Sequence, residues 1–564
     1  MHRIASYLTL MLLATTSCTG EGTQDGAHIP ISLVEIERGQ ATVHIETPSR
    51  GTQTDQEEIE VSGQVDDVDF LSNLIINENI VEVAQDGSFA TMVPLADGLN
   101  TLDVLAIHSD ESSSNDKRTV LKGDFLPPFH GVEDAAITTI GNNVLKKLEK
   151  TIANEIVNTD IMDFVENDLI YGRGGCSTSA WLRGATIDAS NIEFLPSNDQ
   201  MMINAEITDV RIDIRARAAK DTFLGCFRTT KNGTVSIPTI TVRGRMIADN
   251  RDINGRGANI IIPNLDIRVP TVGYNLRRVP NWLEDLIIGN IQPVVENAFN
   301  QSFSSSIPSM IQRELSNLIQ ISLPNIVPGT SVLTHLNTSA IHFDESGIEV
   351  KTDINFTPEF SFDEIENVIF APLPIEPTLE NKPKNSDVDL SISLDIINQF
   401  LTNLWIKGVF NFQIDQETLN AIEQVVPIGL KDFTITSSLP PRVELKDGLL
   451  VLTNADLIVG ARLEGDIFLE AATTTVIKLG IEITENNGFK IVKGDQDTFA
   501  TVLNGDESGL TEGLLSTILD LSANFFIEQV NNLIEEVKIP GNANLADVLE
   551  ITASNQRLEI KGNL

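Results

Sequence analysis

The chain has 564 residues, too many for a single hydrophobic core, so about two to four domains are expected. Its 39 basic and 80 acidic side chains give a net charge of −41, which excludes a nucleic-acid partner for the surface as a whole, because phosphate binding needs a basic face. Aromatic residues make up only 5%, and frequent Val, Ile, Thr and Asn lean towards β-structure.

The first 18 residues, MHRIASYLTLMLLATTSC, have a basic start, an apolar run from Tyr7 to Ala14, and small residues before Cys18. That is the form of a secretion signal, too short to span a membrane as a mature helix. Thr15-Thr16-Ser17-Cys18 resembles a bacterial lipobox, although a Leu or Val usually stands where Thr15 does. The resemblance implies acylation of Cys18, which would then be palmitate-bearing and anchor the chain to a membrane. Thr19 is not the aspartate that retains lipoproteins in the inner membrane, so the same resemblance points to an outer-membrane lipoprotein, facing the periplasm or the surface. Residues 19–32 are small, polar and glycine-containing, a tether.

Residues 33–124 are expected to form an all-β sandwich. Short alternating runs (TVHIE, EIEVSGQV, NLIINENIVEV, GSFATMVPL, NTLDVLAIHS) are separated by turn residues at sandwich spacing. Their turns GTQTD, DDVD, QDGS and ADGLN resemble those of bacterial immunoglobulin-like modules, and tether and module together are expected to act as a spacer from the membrane. Asp66, Asp67 and Asp69 have calcium-binding side chains, but solvated turn acids are the commoner arrangement.

Phe125-Leu126-Pro127-Pro128 marks a linker. A helix is predicted next, with Ile137, Ile140, Val144, Leu148, Ile152 and Ile156 on one face, closed by the glycine-rich stretch from Tyr171 to Gly175. That stretch lacks the GK[ST] ending of a phosphate loop. Cleanly alternating strands follow (MINAEITDVRIDIRARA, TVSIPTITVRGRMIA, ANIIIPNLDIRV), one face buried and the other wet. Between Gly172 and Arg278 stand 15 basic and 10 acidic residues, a local +5 that leaves −46 for the rest. This reads either as a fluctuation on an acidic surface or as a region that meets an anionic ligand or headgroup. Cys176 and Cys226, an isolated pair in an exported chain, suggest a disulfide whose closed loop contributes about 4 kcal/mol. Zinc is the rival, with two thiols and no nearby histidine.

Ile287, Ile291, Val295, Phe299, Phe303, Ile307, Ile311, Leu315 and Ile319 recur every four residues. Each step overshoots a full turn by about 40°, so a straight helix cannot lay all nine on one flat face. A helix bent at Pro293 or Pro308 along a curved sheet satisfies the pattern. Past Pro324 the grammar repeats, with strands over 329–362 and 429–492 and a second long helix, 510–535, carrying Leu514, Ile518, Leu521, Phe525 and Leu533. In the stretch DLSISLDIINQFLTNLWIKGVFNFQI (389–414), alternation gives way to helical spacing through Ile396, Ile397, Phe400, Leu401, Leu404 and Trp405. Asp395 is placed to cap that helix and Gly408 to stop it, and Phe410, Phe412 and Ile414 resume the strand period.

Catalytic signatures are missing. Seven histidines (2, 28, 44, 108, 130, 335, 342) form no H-E-x-x-H, there is no G-x-S-x-G, and no acidic pair stands out among so many acids. His335 and His342 are seven apart in strand-like sequence and are expected on opposite faces. The reading is therefore of a non-enzyme that holds neither metal nor cofactor.

Residues 130–564 resemble the tubular lipid-binding superfamily, in the two-barrel form of bactericidal/permeability-increasing protein. The resemblance is carried by NIIIPNLDIRVP (259–270) running into PNWLEDLIIGNIQPVVENAF (280–299), by the pair Cys176 and Cys226, by DLSISLDIINQFLTNLWIKGVF, and by the closing IPGNANLADVLEITASNQRLEIKGNL. It implies an α+β body of two highly curved antiparallel barrel halves, 130–323 and 324–564, each wrapped on a long helix and holding lipid tails. Val144, Leu148, Ile152, Ile291, Val295, Phe299, Phe303, Phe400, Leu404 and Phe525 would line or close those pockets, although packing against protein is the plainer role for any one of them. The implied partner is a phospholipid-like ligand. The alternative is an adhesion or scaffold protein whose barrels are filled by side chains. One family trait does not carry over: antibacterial members are strongly cationic, and this chain is −41. On the lipobox reading, Cys18→Ser releases the protein from the membrane fraction; unchanged retention on fractionation would remove that reading.

Overall fold

The computed structural model describes residues 42–158, 169–275, 308–314, 332–358, 387–413, 430–504, 523–531 and 547–563, less some positions inside these spans. Strands dominate, with α-helices at Asn142–Asn158 (α1) and Leu394–Ile406 (α2). No described helix is long and apolar enough to cross a membrane.

The N-terminal unit is an immunoglobulin-like sandwich. Strands Val43–Thr47, Glu58–Val65 and Ser88–Pro94 form one sheet. The other runs in the order Gln53–Thr54, Ser113–Lys122, Gly98–His108, Leu71–Ile76, Asn79–Val81. Inward positions Val61, Leu102, Val104, Ala106 and Val120 are buried between them. The Asn77-Glu78 link between the last two strands has positive φ at both residues, the two-residue turn whose twist matches a hairpin.

This sandwich is docked onto the body. Arg50 lies between Asp116, at 2.9 Å, and Asp456 of the C-terminal sheet, at 3.0 Å, and all three side chains are largely buried. Its guanidinium also donates to Lys117 O, and the Thr119 amide donates to Asp456 Oδ2. Burial pushes the Asp456 carboxyl above its ordinary range, and Arg50 opposes that shift. Leu121 packs with Leu439 and Ala455 alongside this cluster. Gly51, at φ 75°, is pressed so close that a Cβ would stand 2.8 Å from the Ser438 carbonyl oxygen.

The body has three antiparallel sheets. The first contains 169–171, 179–186, 189–197 and a long hairpin, 200–222 with 225–249, edged by 259–261, 265–268 and 273–275. The central one runs in the order 332–344, 347–358, 132–141, 388–393, 557–563, 547–554. The third comprises 412–413, 430–437, 442–446, 449–463, 468–483 and 489–504. Among the described residues no sheet closes on itself, so the expected barrels stand as open sheets. The central sheet draws strands from both sides of the expected 323/324 boundary: strand 132–141 pairs with 347–358 and 388–393.

Several local expectations change. Ile137 and Ile140 belong to that strand, not to the helix, because its β-branched run is paired on both sides; α1 begins at Asn142 and ends at Asn158. Tyr171 lies in a strand paired with 179–186 and does not close the helix. Ser393, not Asp395, caps α2, accepting from the Asp395 amide at 3.2 Å. Gly408, at φ 67°, does end it, with Gly408 N–H on Trp405 O and Val409 N–H on Leu404 O, the paired bonds of a Schellman motif. Phe410 sits in the turn after α2 rather than in a strand and packs on Phe526 at 4.6 Å. A bulge between Thr338 and Ala340 shifts the strand phase by one, so His335 and His342 are both exposed on one face.

α2 is buried along almost its whole length, polar residues included. Asn398 donates to Val443 O and accepts from Val443 N. Gln399 accepts from Phe356 N, Asn403 donates to Phe356 O, and Trp405 donates to Ser437 O. The helix thus joins the central sheet to the C-terminal one.

Replacing Arg50 with Met takes the cation from the buried Asp456, while Asp116 keeps Arg118 at 3.6 Å. A loss of about 3–5 kcal/mol is expected in urea unfolding; a loss under about 1 kcal/mol would show that the ion cluster does not hold the module.

Candidate functional site

The predicted apolar residues separate into two cores. Val144, Leu148 and Ile152 lie with Leu145 and Ile156 on the buried face of α1, in one cluster with the inner side of the long hairpin. Phe400 and Leu404 are fully buried in another, where Phe400 meets Phe356 at 5.6 Å. Phe526, Ile527 and Val530 share that second core; Phe525, Ile291, Val295, Phe299, Phe303 and Cys18 fall outside the described residues. From the long four-residue stripe, Ile311 is described, buried against the first core in a helical segment at 308–314.

The hairpin shows how the first apolar face is made. Its two strands pair in one register from Gln200–Ile247 to Thr222–Gly225, interrupted at Asp209 and Pro238. At strand rise, 23 residues span roughly 75 Å. Inward residues are Ile203, Ala205 and Ile207, then Val210, Ile212 and Ile214; across from them are Val242 and Ile240, then Ile237 and Val235. The two-residue period breaks in both strands at once, at Asp209 (φ 53°) and Pro238, so that one side stays apolar through the irregularity. Glu149 of α1 accepts from the Phe194 amide at 2.6 Å and Ser190 donates to Ala153 O, which fixes the helix to strand 189–197. Burial raises the Glu149 carboxyl above its ordinary range.

On the distal half of the hairpin a cleft of ≈ 960 Å³ opens, lined by Arg183, Asp213, Arg215, Thr230, Lys231, Asn232 and Thr234 among others. Arg183 stands where the register of strand 179–186 slips between Leu182 and Gly184, the position of a bulge. Arg215 is directly opposite Asn232, and Lys231 is the next residue on that strand. Asp213 accepts from Thr234 Oγ1 at 3.3 Å. Of the arginines that make this region basic, Arg211 pairs with Asp188 and Arg217 lies 5.0 Å over the Trp181 ring. Arg243 and Arg245 face Asn204 and Met202, roughly 40 Å along the ribbon from Arg215. Composition located the basic region but not the cleft, whose lining residues come from three strands whose register the sequence does not announce.

Past the cleft the ribbon ends in exposed residues, with Phe223 96% and Phe227 61% accessible. Cys176 and Cys226 are joined near this end, Cα–Cα 5.6 Å.

Residues 41–123 match the family model described as glucodextranase, domain B, which spans the sandwich. No curated protein matches the chain. Among solved structures it is similar to lipopolysaccharide binding protein, at 14% identity over 77% of this chain and 99% of that one, TM-score 0.38. It is also similar to P47 of Clostridium botulinum E1 (13%, 77% and 100%, TM-score 0.26) and to P47 from Clostridium botulinum A2 (14%, 77% and 99%, TM-score 0.21).

Core and cleft residues should respond differently to substitution. Leu148→Ala is expected to cost about 3 kcal/mol in denaturant unfolding, and Arg215→Gln less than about 0.5 kcal/mol; a large loss from Arg215→Gln would make it a structural residue.

Proposed function

We propose that this chain is a non-enzymatic, acylated envelope lipoprotein that binds one or two phospholipid-like molecules, with each outer sheet curling as a half-barrel around its long helix. The observation that supports the reading is the aliphatic inner side of the long hairpin opposed by the apolar face of α1. Withdrawing an acyl chain of about 14 methylenes from a bilayer exposes it at a cost on the order of 11 kcal/mol, which only a comparable dry surface offsets. The hairpin's inner face is aliphatic on both strands and long enough to accept such a chain. Its residues are already shielded, with Ile203, Ile207, Val210 and Ile214 at 0–1% exposure, so an entering chain must exchange places with side-chain contacts. Such an exchange swaps one apolar contact for another and is nearly neutral in free energy.

The same shielding favours a second reading, an adhesion or scaffold protein with a solid interior, most of all around α2, where Phe400 and Leu404 are enclosed. Mass spectrometry of an organic extract of the full chain bearing Cys18→Ser separates the two. Co-purifying acyl lipid is expected; protein that is consistently lipid-free and takes up no fluorescent fatty acid would favour the scaffold.

A further inference from the structure

We infer that the inner face of the third sheet of the body binds a neutral vicinal diol carried on an apolar chain, met by Asn454, Thr475, Thr498 and Gln496. The inference rests on the lipid reading only in taking that face to admit a guest, and it puts hydroxyl groups where an acyl tail would otherwise lie. Strands 449–463, 468–483 and 489–504 set Asn454 opposite Thr475 and Thr475 opposite Thr498, a polar row across three strands. Beside it Leu452 stands opposite Ile477, and Ile477 opposite Gln496. Leu452 and Ile477 belong to the core around Phe400, so the row and Gln496 share that inner side. A bulge between Asn454 and Leu457 turns Ala455 and Asp456 towards the sandwich and returns Leu457 inward, opposite Thr473. All four polar residues are 2–7% exposed. Gln496 Nε2 donates to Thr498 Oγ1 at 3.2 Å, yet Asn454 Oδ1 and Gln496 Oε1 have no hydrogen-bond partner. Orphaned buried polar atoms lower stability, and aliphatic side chains would close the same face without that cost.

The chemistry of the row selects its guest. Leu452 and Ile477 flank it on one side, Leu457 and Val459 on the other, all buried and uncharged. An ion placed there would be buried with no opposite charge at these positions. An alkyl chain laid across the row would leave both amides unmet. A hydroxyl donates and accepts, so it satisfies an amide in either orientation. The two amides stand on strands two spacings apart, roughly 10 Å between backbones. Adjacent hydroxyls with an O–H···O bond of about 2.8 Å at each end cover such a gap. The aliphatic flanks then suit a chain attached to the diol.

The full chain bearing Cys18→Ser, stripped of lipid, is incubated with radiolabelled 1-monooleoylglycerol or with oleic acid, which has the same chain and no diol, and retention through gel filtration is measured. Monooleoylglycerol is expected to bind the more tightly. Asn454→Leu with Gln496→Met swaps both amides for apolar groups of similar size. This pair is expected to weaken monooleoylglycerol about twentyfold, leave oleic acid unchanged and not lower the unfolding midpoint. Thr475→Val with Thr498→Val keeps the shape of the row, is expected to act in the same direction, and serves if the amide variant does not fold. Retention that excess glycerol leaves intact assigns the diol to a lipid; displacement assigns it to a free polyol. Wild type that retains monooleoylglycerol no better than oleic acid, or variants that retain it as wild type does, overturns the site and leaves the row to buried water. Co-purifying phospholipid alongside that result removes the diol site alone. Monooleoylglycerol bound through the row, with no co-purifying acyl lipid, removes the phospholipid reading alone.

Discussion

The body is organised by one requirement: the backbone groups at the ends of its sheets must find partners where water does not reach. α2 meets it with amide side chains. A helix buried on all sides is ordinarily aliphatic, yet α2 carries Asn398, Gln399 and Asn403 into the interior, where each bonds to backbone of Phe356 or Val443. A buried polar group is costly when orphaned and nearly free when paired, so these residues bind particular strands in a particular register. Leucine at the same positions would bury as much surface and leave the strand ends unpaired. The central sheet follows the same logic at Arg557, buried, donating to Ser391 Oγ and Asp134 O. Two halves that are separate in sequence are therefore continuous in hydrogen bonding.

Electrostatics divides the molecule differently. Over most of the surface acid is in excess and cations are neutralised locally. The long hairpin departs from this, with an apolar inner side, a cationic cleft on its distal half and exposed phenylalanines at its end. Those three features lie in order along one ribbon.

Much of the strand content was legible, because alternation survives in a one-sided sheet: the runs of the sandwich, most of the hairpin and the strands described between 430 and 492 read as strands, while the continuation of the last one to Asn504 did not. Gly408 ended its helix as expected, since positive φ leaves few alternatives. Errors arose where periods collide. AAITTIG places Ile137 and Ile140 at spacings that also fit a helix, and only pairing to strands more than two hundred residues away decides for a strand. The His335–His342 phase failed on a bulge that no residue announces. Of the candidate site, the apolar face of α1 was visible in periodicity. The cleft was not, because it depends on register between strands, and neither was Arg50 with Asp456, 406 positions apart.

A guanidinium shared between Asp116 on one sheet and Asp456 on another also couples their fluctuations. Opening either sheet at that point exposes a carboxylate–arginine pair that the other still holds, so neither opens cheaply alone. Amide protons of strands 113–122 and 449–463 should then exchange with deuterium as one slow unit, and the sandwich should melt together with the sheet it rests on instead of first, as a loosely strung module would.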